Sequence, residues 1–259
     1  MVRLWPIALL ARIAACLDDS LQYPMFFLGE LILFPNETLP LQIFEPRYQL
    51  LVARCLGDVE FARSLSGSLY VGDADPCRFG ITFETFGPGA RGVLATIDRS
   101  AISERDDADS PMIAYRIVVT GGARFAIASE SGFSERVETD DGDQPPLVHA
   151  NVSAYDDSPD PERGDAGPPR WEQIQRRLKW LFGAEARNSL VGFAEANVPA
   201  TPLSHRAFFL ASQLPLDHAR RCELLALTSG VERWIRIADL LGEWLERAKE
   251  ERQRREGRE

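Results

Sequence analysis

Apolar and polar positions follow two regimes along the 259 residues, short alternating blocks up to about residue 155 and helical spacing from Trp171 onward. The first block, Met25 to Phe34, reads as a strand, with Gly29 and Glu30 marking a bulge or an edge. Pro46 then suits the first position of a helix in which Tyr48, Leu51, Val52, Cys55 and Leu56 recur at helical spacing, and Gly57 ends it. Residues 58–78 are punctuated by Gly67, Gly72, Asp73, Asp75 and Pro76 and read as loop around one short strand at Ser68 to Val71. Further strands are predicted at Phe79 to Phe83, Val93 to Ile97, Met112 to Thr120, Ala123 to Ala128 and Val148 to Ala154. Gly121-Gly122 reads as the hairpin turn between two of them, and Asp140 to Pro146 as a loop tip. Short strands at about ten-residue spacing with Gly-rich turns predict a small barrel or sandwich.

The acidic, Pro- and Gly-rich run Asp156 to Pro169 has the composition of a linker and lacks the spacing of a calcium loop. Beyond it, Trp171, Ile174, Leu178, Leu181 and Phe182 share a helical face that stops near Gly183, and Asn188 to Asn197 suggests a second short helix. Thr201-Pro202 opens a helix over Leu203 to Leu214, and Asp217 caps Ala219 to Leu227. Ser229 to Glu232 forms a capping box for the last helix, with Val231, Trp234, Ile235, Ala238, Leu241, Leu245 and Ala248 as its buried stripe. The fold class is therefore α+β. The divisions are an extension over 1–24, a β-domain over 25–155, a linker over 156–170, a helical bundle over 171–250 and a frayed charged tail over 251–259.

Phe34 to Tyr48 stands out within this pattern. Pro35, Pro40 and Pro46 fix φ and hold the residues before them out of the helical region, so the backbone is stiff, extended and sharply turned. Leu39, Leu41, Ile43 and Phe44 present apolar side chains for burial, while Glu45, Arg47 and Tyr48 cluster polar groups. That cluster has two readings. Glu45 and Arg47 orient a ligand, or they brace the turn while Tyr48 packs with its hydroxyl satisfied; the brace is the preferred one.

Composition narrows the chemistry. A net charge of −10 argues against nucleic acid as a partner. The chain has 27 Arg but only two Lys, Lys179 and Lys249, both in helical context. A phosphate-binding loop and a Ser–Lys dyad both need a lysine elsewhere, and no Gly-x-Ser-x-Gly elbow exists. Cys16, Cys55, Cys77 and Cys222 lie far apart without ligand spacing to His149, His205 or His218, so reduced, mostly buried thiols are expected rather than a zinc site or a disulfide framework. No catalytic residue, cofactor or metal is expected. No run is apolar enough to span a bilayer. Ile13-Ala14-Ala15-Cys16 resembles a lipoprotein cleavage box, but Arg12 and Pro6 interrupt the segment before it. Met1 to Leu17 is accordingly read as an amphipathic helix and the protein as cytoplasmic, the alternative being an organellar or lipid-anchored one.

The order of these features resembles a known family. Phe27-Leu-Gly-Glu-Leu-Ile-Leu-Phe-Pro, Leu39-Pro-Leu-Gln-Ile-Phe-Glu-Pro-Arg-Tyr and Cys55-Leu56 are similar to the N-terminal signature of the Lon protease substrate-recognition domain. Phe79-Gly-Ile, Gly92 to Ile97, Val119 to Phe125, Phe208 to Leu216, Arg221 to Leu225 and Val231-Glu-Arg follow in the family's order. The resemblance implies a PUA-like β-pseudobarrel followed by a helical bundle. In the full protease this part contacts substrates and assists assembly, while separate AAA+ and Ser–Lys domains do the chemistry. The expectation is a stand-alone, non-enzymatic module for unfolded or apolar polypeptide, an adaptor working with a protease or chaperone. The alternative is a small-molecule sensor or enzyme with a pocket near Glu45, Arg47 and Tyr48.

Overall fold

The computed structural model describes residues 22–27, 32–66, 75–105, 114–128, 134–139, 142–155, 170–196 and 203–256. The helix expected over Met1 to Leu17, the strand at Ser68 to Val71, the linker at 156–169 and the Thr201-Pro202 cap lie outside them. The chain divides into two compact units, Met1–Asp156 and Asp157–Glu259.

The first unit is a sheet of eight strands, β1 (Gln22–Phe26), β2 (Thr38–Ile43), β3 (Arg78–Thr82), β4 (Arg91–Ile97), β5 (Ser103–Arg105), β6 (Ala114–Ile127), β7 (Ser134–Thr139) and β8 (Gly142–Ala154). They pair in the order β2-β6-β4-β3-β1-β8-β7, and β6 also pairs β8. That extra pairing of Phe125–Ile127 with Val152–Ala154 closes β6, β4, β3, β1 and β8 into a ring. Only β1 and β3 run parallel in it. The fold is α+β with a β-pseudobarrel.

Because successive strand residues face opposite ways, neighbouring side chains serve different cores. Met25 joins Tyr23, Leu94, Phe125, Ala150 and Val152 on one face. Phe26 joins Phe79, Ile81, Ile97, Ile117 and Val119 on the other, where two helices cover them. These are α1 (Pro46–Leu56), which buries Tyr48 and Leu50 to Ala53, and α2 (Val59–Ser66), which buries Ala62 and Leu65.

Several elements differ from the sequence reading. β1 ends at Phe26 and starts inside the expected extension, and Ile32 to Phe34 is buried without being strand. Helix α2 occupies part of the presumed loop at 58–78. Its signal was there in the sequence, Asp58 accepting from the Phe61 N–H at 3.0 Å as an N-cap and Ala62 and Leu65 three residues apart on the buried side. Pro145 and Pro146 do not end β8, which runs from Gly142 and so takes in most of the expected loop tip.

The largest difference is at Gly121-Gly122, which makes no hairpin. β6 continues through them unbroken, with one extra residue opposite β4 between Val93 and Ala95. The glycines answer to another constraint. Phe34 to Glu37 turns with Pro35 and a positive-φ Asn36 (65°) at its corners, and the Glu37 N–H donates to the Phe34 carbonyl at 3.0 Å. This turn lies against β6, the Asn36 N–H donating to Gly121 O (2.8 Å) and the Gly121 N–H to Glu37 O (2.9 Å). A Cβ at Gly121 would sit 2.1 Å from the Phe34 carbonyl oxygen.

The cysteines also differ from expectation. Cys55, at the end of α1, and Cys77, just before β3, are joined as a disulfide with Cα atoms 4.6 Å apart. Twenty-two residues separate them, too far for spacing alone to show the pairing. Closing such a loop restricts the unfolded chain by about 3 kcal/mol.

A polar clasp ties the loop between β3 and β4 to the end of β8. Arg91 donates to both oxygens of Glu84, through Nε (2.8 Å) to Oε1 and the main-chain N–H (2.9 Å) to Oε2, and through Nη1 to the Tyr155 hydroxyl (3.0 Å). The buried Arg124 guanidinium lies over the Tyr155 ring at 4.8 Å. The bonds from Arg91 hold the Glu84 carboxyl below its ordinary value.

The second unit contains α3 (Trp171–Ala196), α4 (Leu203–Ser212), α5 (His218–Ala226) and α6 (Gly230–Glu256). Gly183 interrupts α3 with non-helical torsions, so its two pieces correspond to the two helices read from sequence. α3 packs on α6, with Ile174 and Leu178 buried on the one and Trp234, Ile237, Ala238 and Leu241 on the other, and Trp171 meets Trp234 edge-on at 5.5 Å. Arg233 is wholly buried, donating to the carbonyls of Leu224 (3.0 Å) and Leu227 (2.5 Å) while its guanidinium lies 3.8 Å from the centre of Phe208. It thereby satisfies acceptors that the end of α5 leaves open. α6 remains helical to Glu256, where a frayed tail was expected, with Lys249–Glu246 and Arg252–Glu256 paired along its surface.

Two outcomes follow for stability. Gly121→Ala sets a Cβ against backbone and should cost about 2–3 kcal/mol in urea denaturation. Gly87→Ala, whose Cβ meets nothing within 4 Å, should stay within about 0.5 kcal/mol. The Glu84 carboxyl, depressed in the folded state, contributes stability above its ordinary range that is lost as pH falls through the folded value. With about a third of the pair's side chains exposed, the contribution should be about 0.5 kcal/mol, and Glu84→Gln should remove that part of the difference between denaturation at pH 6 and pH 3.

Candidate functional site

The segment that drew notice in the sequence forms a continuous path from the Phe34–Glu37 turn through β2 into α1. Pro40 lies inside β2 opposite Val118, and β2 pairs only β6, so among the described residues it is an edge strand. Pro46 is the first residue of α1, and the Glu45 carbonyl accepts from the N–H groups of Tyr48 (2.9 Å) and Gln49 (3.0 Å). The Glu45 side chain makes no cap. It accepts instead from Arg47, at 2.8 Å from Nε and 2.7 Å from Nη2.

Arg47 in turn lies over the Tyr48 ring, its guanidinium carbon 4.5 Å from the centroid. Tyr48 is buried, packs on Phe26 at 3.8 Å, and its hydroxyl accepts from the Phe27 N–H (2.9 Å) and donates to the Phe27 carbonyl (3.3 Å). Burial pushes its phenol above the ordinary value. The three predicted residues are thus brought together, and they spend their polar groups on one another and on the main chain after β1. This geometry braces the entry to α1 against the end of β1. Phe27 extends the contact to Phe86 in the β3–β4 loop, edge-on at 4.8 Å.

The apolar residues of the segment divide. Ile43 is buried, Leu39 and Leu41 are partly covered, and Phe44, expected inside, is 57% exposed. Buried Gln49 donates to the Phe44 carbonyl at 3.2 Å, fixing the backbone at this corner while its ring points to solvent. Sequence reasoning missed Phe44 because the strand alternation that buries Ile43 necessarily turns the next residue outward. Among the described residues no group of three or more His, Cys, Asp or Glu is placed to hold a metal, and no described helix is long and apolar enough to cross a membrane.

Tyr48→Phe keeps the ring and strands the Phe27 N–H, so it should lower stability by about 1–3 kcal/mol in chemical denaturation.

The family model of the ATP-dependent protease La (LON) substrate-binding domain matches residues 22–243. The chain is similar to the Lon N-terminal domain protein from Xanthomonas campestris, at 22% identity over 82% of this chain and 94% of that one, with a TM-score of 0.48. It is also similar to the N-terminal domain of the Mycobacterium avium complex Lon protease, at 17% identity over 85% and 98% of the two chains, with a TM-score of 0.53. Identities this low speak to fold alone, and the second structure carries that comparison. No curated protein matches the chain. A match over most of the sequence, with the segment from Phe34 to Tyr48 inside it, leads to one assignment: this chain belongs to the Lon substrate-binding domain family.

Proposed function

We propose that the protein is a non-enzymatic module that binds exposed apolar segments of unfolded polypeptide and presents them to a protease or chaperone as an adaptor. The observation that carries this reading is the exposed Phe44 ring, standing where edge strand β2 meets α1. An aromatic ring on a rigid corner is an anchor with little entropy left to lose on binding. Leu39 and Leu41 lie with Ile43 on the face of β2 that packs on the core, so the Phe44 ring stands on the opposite side of the chain, where the Glu45–Arg47 pair gives it a polar rim. Glu45, Arg47 and Tyr48 act as support for that corner rather than as reacting groups. Membership in a family of substrate-binding domains supports polypeptide as the ligand class.

The test is binding of a fluorescently labelled, permanently unfolded polypeptide, followed by anisotropy. Phe44→Ser should weaken binding about tenfold, the scale of one truncated anchor, with the thermal transition unmoved. Failure of the parent protein to bind, or equal binding by Phe44→Ser, would overturn the reading.

A further inference from the structure

The Cys55–Cys77 disulfide has a neighbour that its structural role does not require. Arg99 directs its Nε–H at the Cys77 sulfur from 2.8 Å. Arg99 belongs to a one-turn 3-10 helix, Arg99–Ala101, whose cap Asp98 accepts from the Ser100 N–H (2.9 Å) and hydroxyl (2.7 Å). The exposed guanidinium is therefore held on a fixed turn beside one sulfur of the pair. Both cysteines are buried, Cys55 completely and Cys77 all but 4%, and Cys77 has exposed chain neighbours in Asp75, Pro76 and Arg78.

The backbones of the two cysteines are also held differently. The Cys77 N–H donates to Asp75 Oδ1 at 3.0 Å, and its carbonyl accepts from the Ile97 N–H at 2.8 Å, so Cys77 is tied to the sheet whatever its sulfur does. Cys55 sits in the last turn of α1, which ends at Gly57 (φ 76°). The disulfide fastens this end of α1 to the residue before β3, alongside apolar packing and the junction with α2.

We propose that Cys55–Cys77 is a thiol–disulfide exchange site, entered at Cys77 by a dithiol reductant with Arg99 as the positioning residue. The positive guanidinium draws the attacking thiolate to the sulfur it faces. A bond forms between that thiolate and Cys77 Sγ. The Cys55–Cys77 bond breaks with its electron pair on Cys55 Sγ, which takes up the proton the attacking thiol released. The second thiol of the reductant then attacks its own sulfur in the mixed disulfide, and that bond breaks with its electron pair on Cys77 Sγ, which takes up the second thiol's proton beside Arg99. The dithiol loses two electrons as it closes to a disulfide, and the protein gains two as it opens. What is released is the C-terminal end of α1, while Cys77 and β3 stay in the sheet.

The experiment uses the full chain without denaturant, with dithiothreitol as the probe and peptide mapping after alkylation as the readout. Cys55 and Cys77 should become alkylated while the protein stays folded. Arg99→Gln should slow this roughly three- to tenfold, and Arg99→Lys should restore most of the rate. Hydrogen exchange should rise on reduction in residues 46–56 and stay unchanged in β4 and β6. Because Arg99 is exposed, loss of folding does not confound its variants. The proposal is overturned if reduction occurs only with global unfolding, if Arg99→Gln reacts at the parent rate, or if exchange in 46–56 does not change.

Discussion

One strand meets two obligations at once, and the rest of the first unit depends on it. Along one edge β6 pairs with β2 and then, nearer its end, with β8; along the other it pairs with β5 and β4. A strand of fourteen residues can serve four partners only by bending, and the extra residue opposite β4 supplies the bend. Where β6 bends, it also accepts the Phe34–Glu37 turn at backbone distance, which a side chain on Gly121 would prevent. Ring closure, the course of β2 and the position of α1 therefore share one local condition.

From that condition the candidate site follows. The turn starts β2, β2 leads to Pro46, and Pro46 starts a helix whose first turn carries Arg47 and Tyr48. Tyr48 then reaches back to the chain leaving β1, so the segment is held at both ends. Glu45, Arg47 and Tyr48 bond to one another and to the main chain in this arrangement, while the Phe44 ring beside them faces solvent.

Much of this was legible in the sequence because it is written in residues with narrow conformational options. Pro46 at a helix start, Gly57 at its end and the Asp217 cap, which accepts from the Arg220 N–H at 2.9 Å, each act within one turn of chain. The missed features depend on partners distant in sequence. Gly121-Gly122 has the local signature of a hairpin, and only the turn 85 residues earlier shows why glycine is needed there. The disulfide joins residues whose approach is set by helix packing rather than spacing. Arg233 has the sequence character of a surface residue and is buried because two carbonyls and a ring await it. In the last helix Trp234, Ala238 and Leu241 were expected inside, while Ile237 and Leu240 widen the buried face because more than one helix packs on it.

Pro40 has a consequence for how this protein coexists with its own kind. An uninterrupted edge strand is a template on which any extended chain, including a misfolded copy of the same protein, can zip up indefinitely. A proline in that strand withholds one amide from the row and is tolerated where that amide would face away from the neighbouring strand. β2 can therefore lead to the exposed Phe44 ring without seeding a growing sheet. For the polypeptide-binding role proposed above, that is the difference between a transient contact and a fibre.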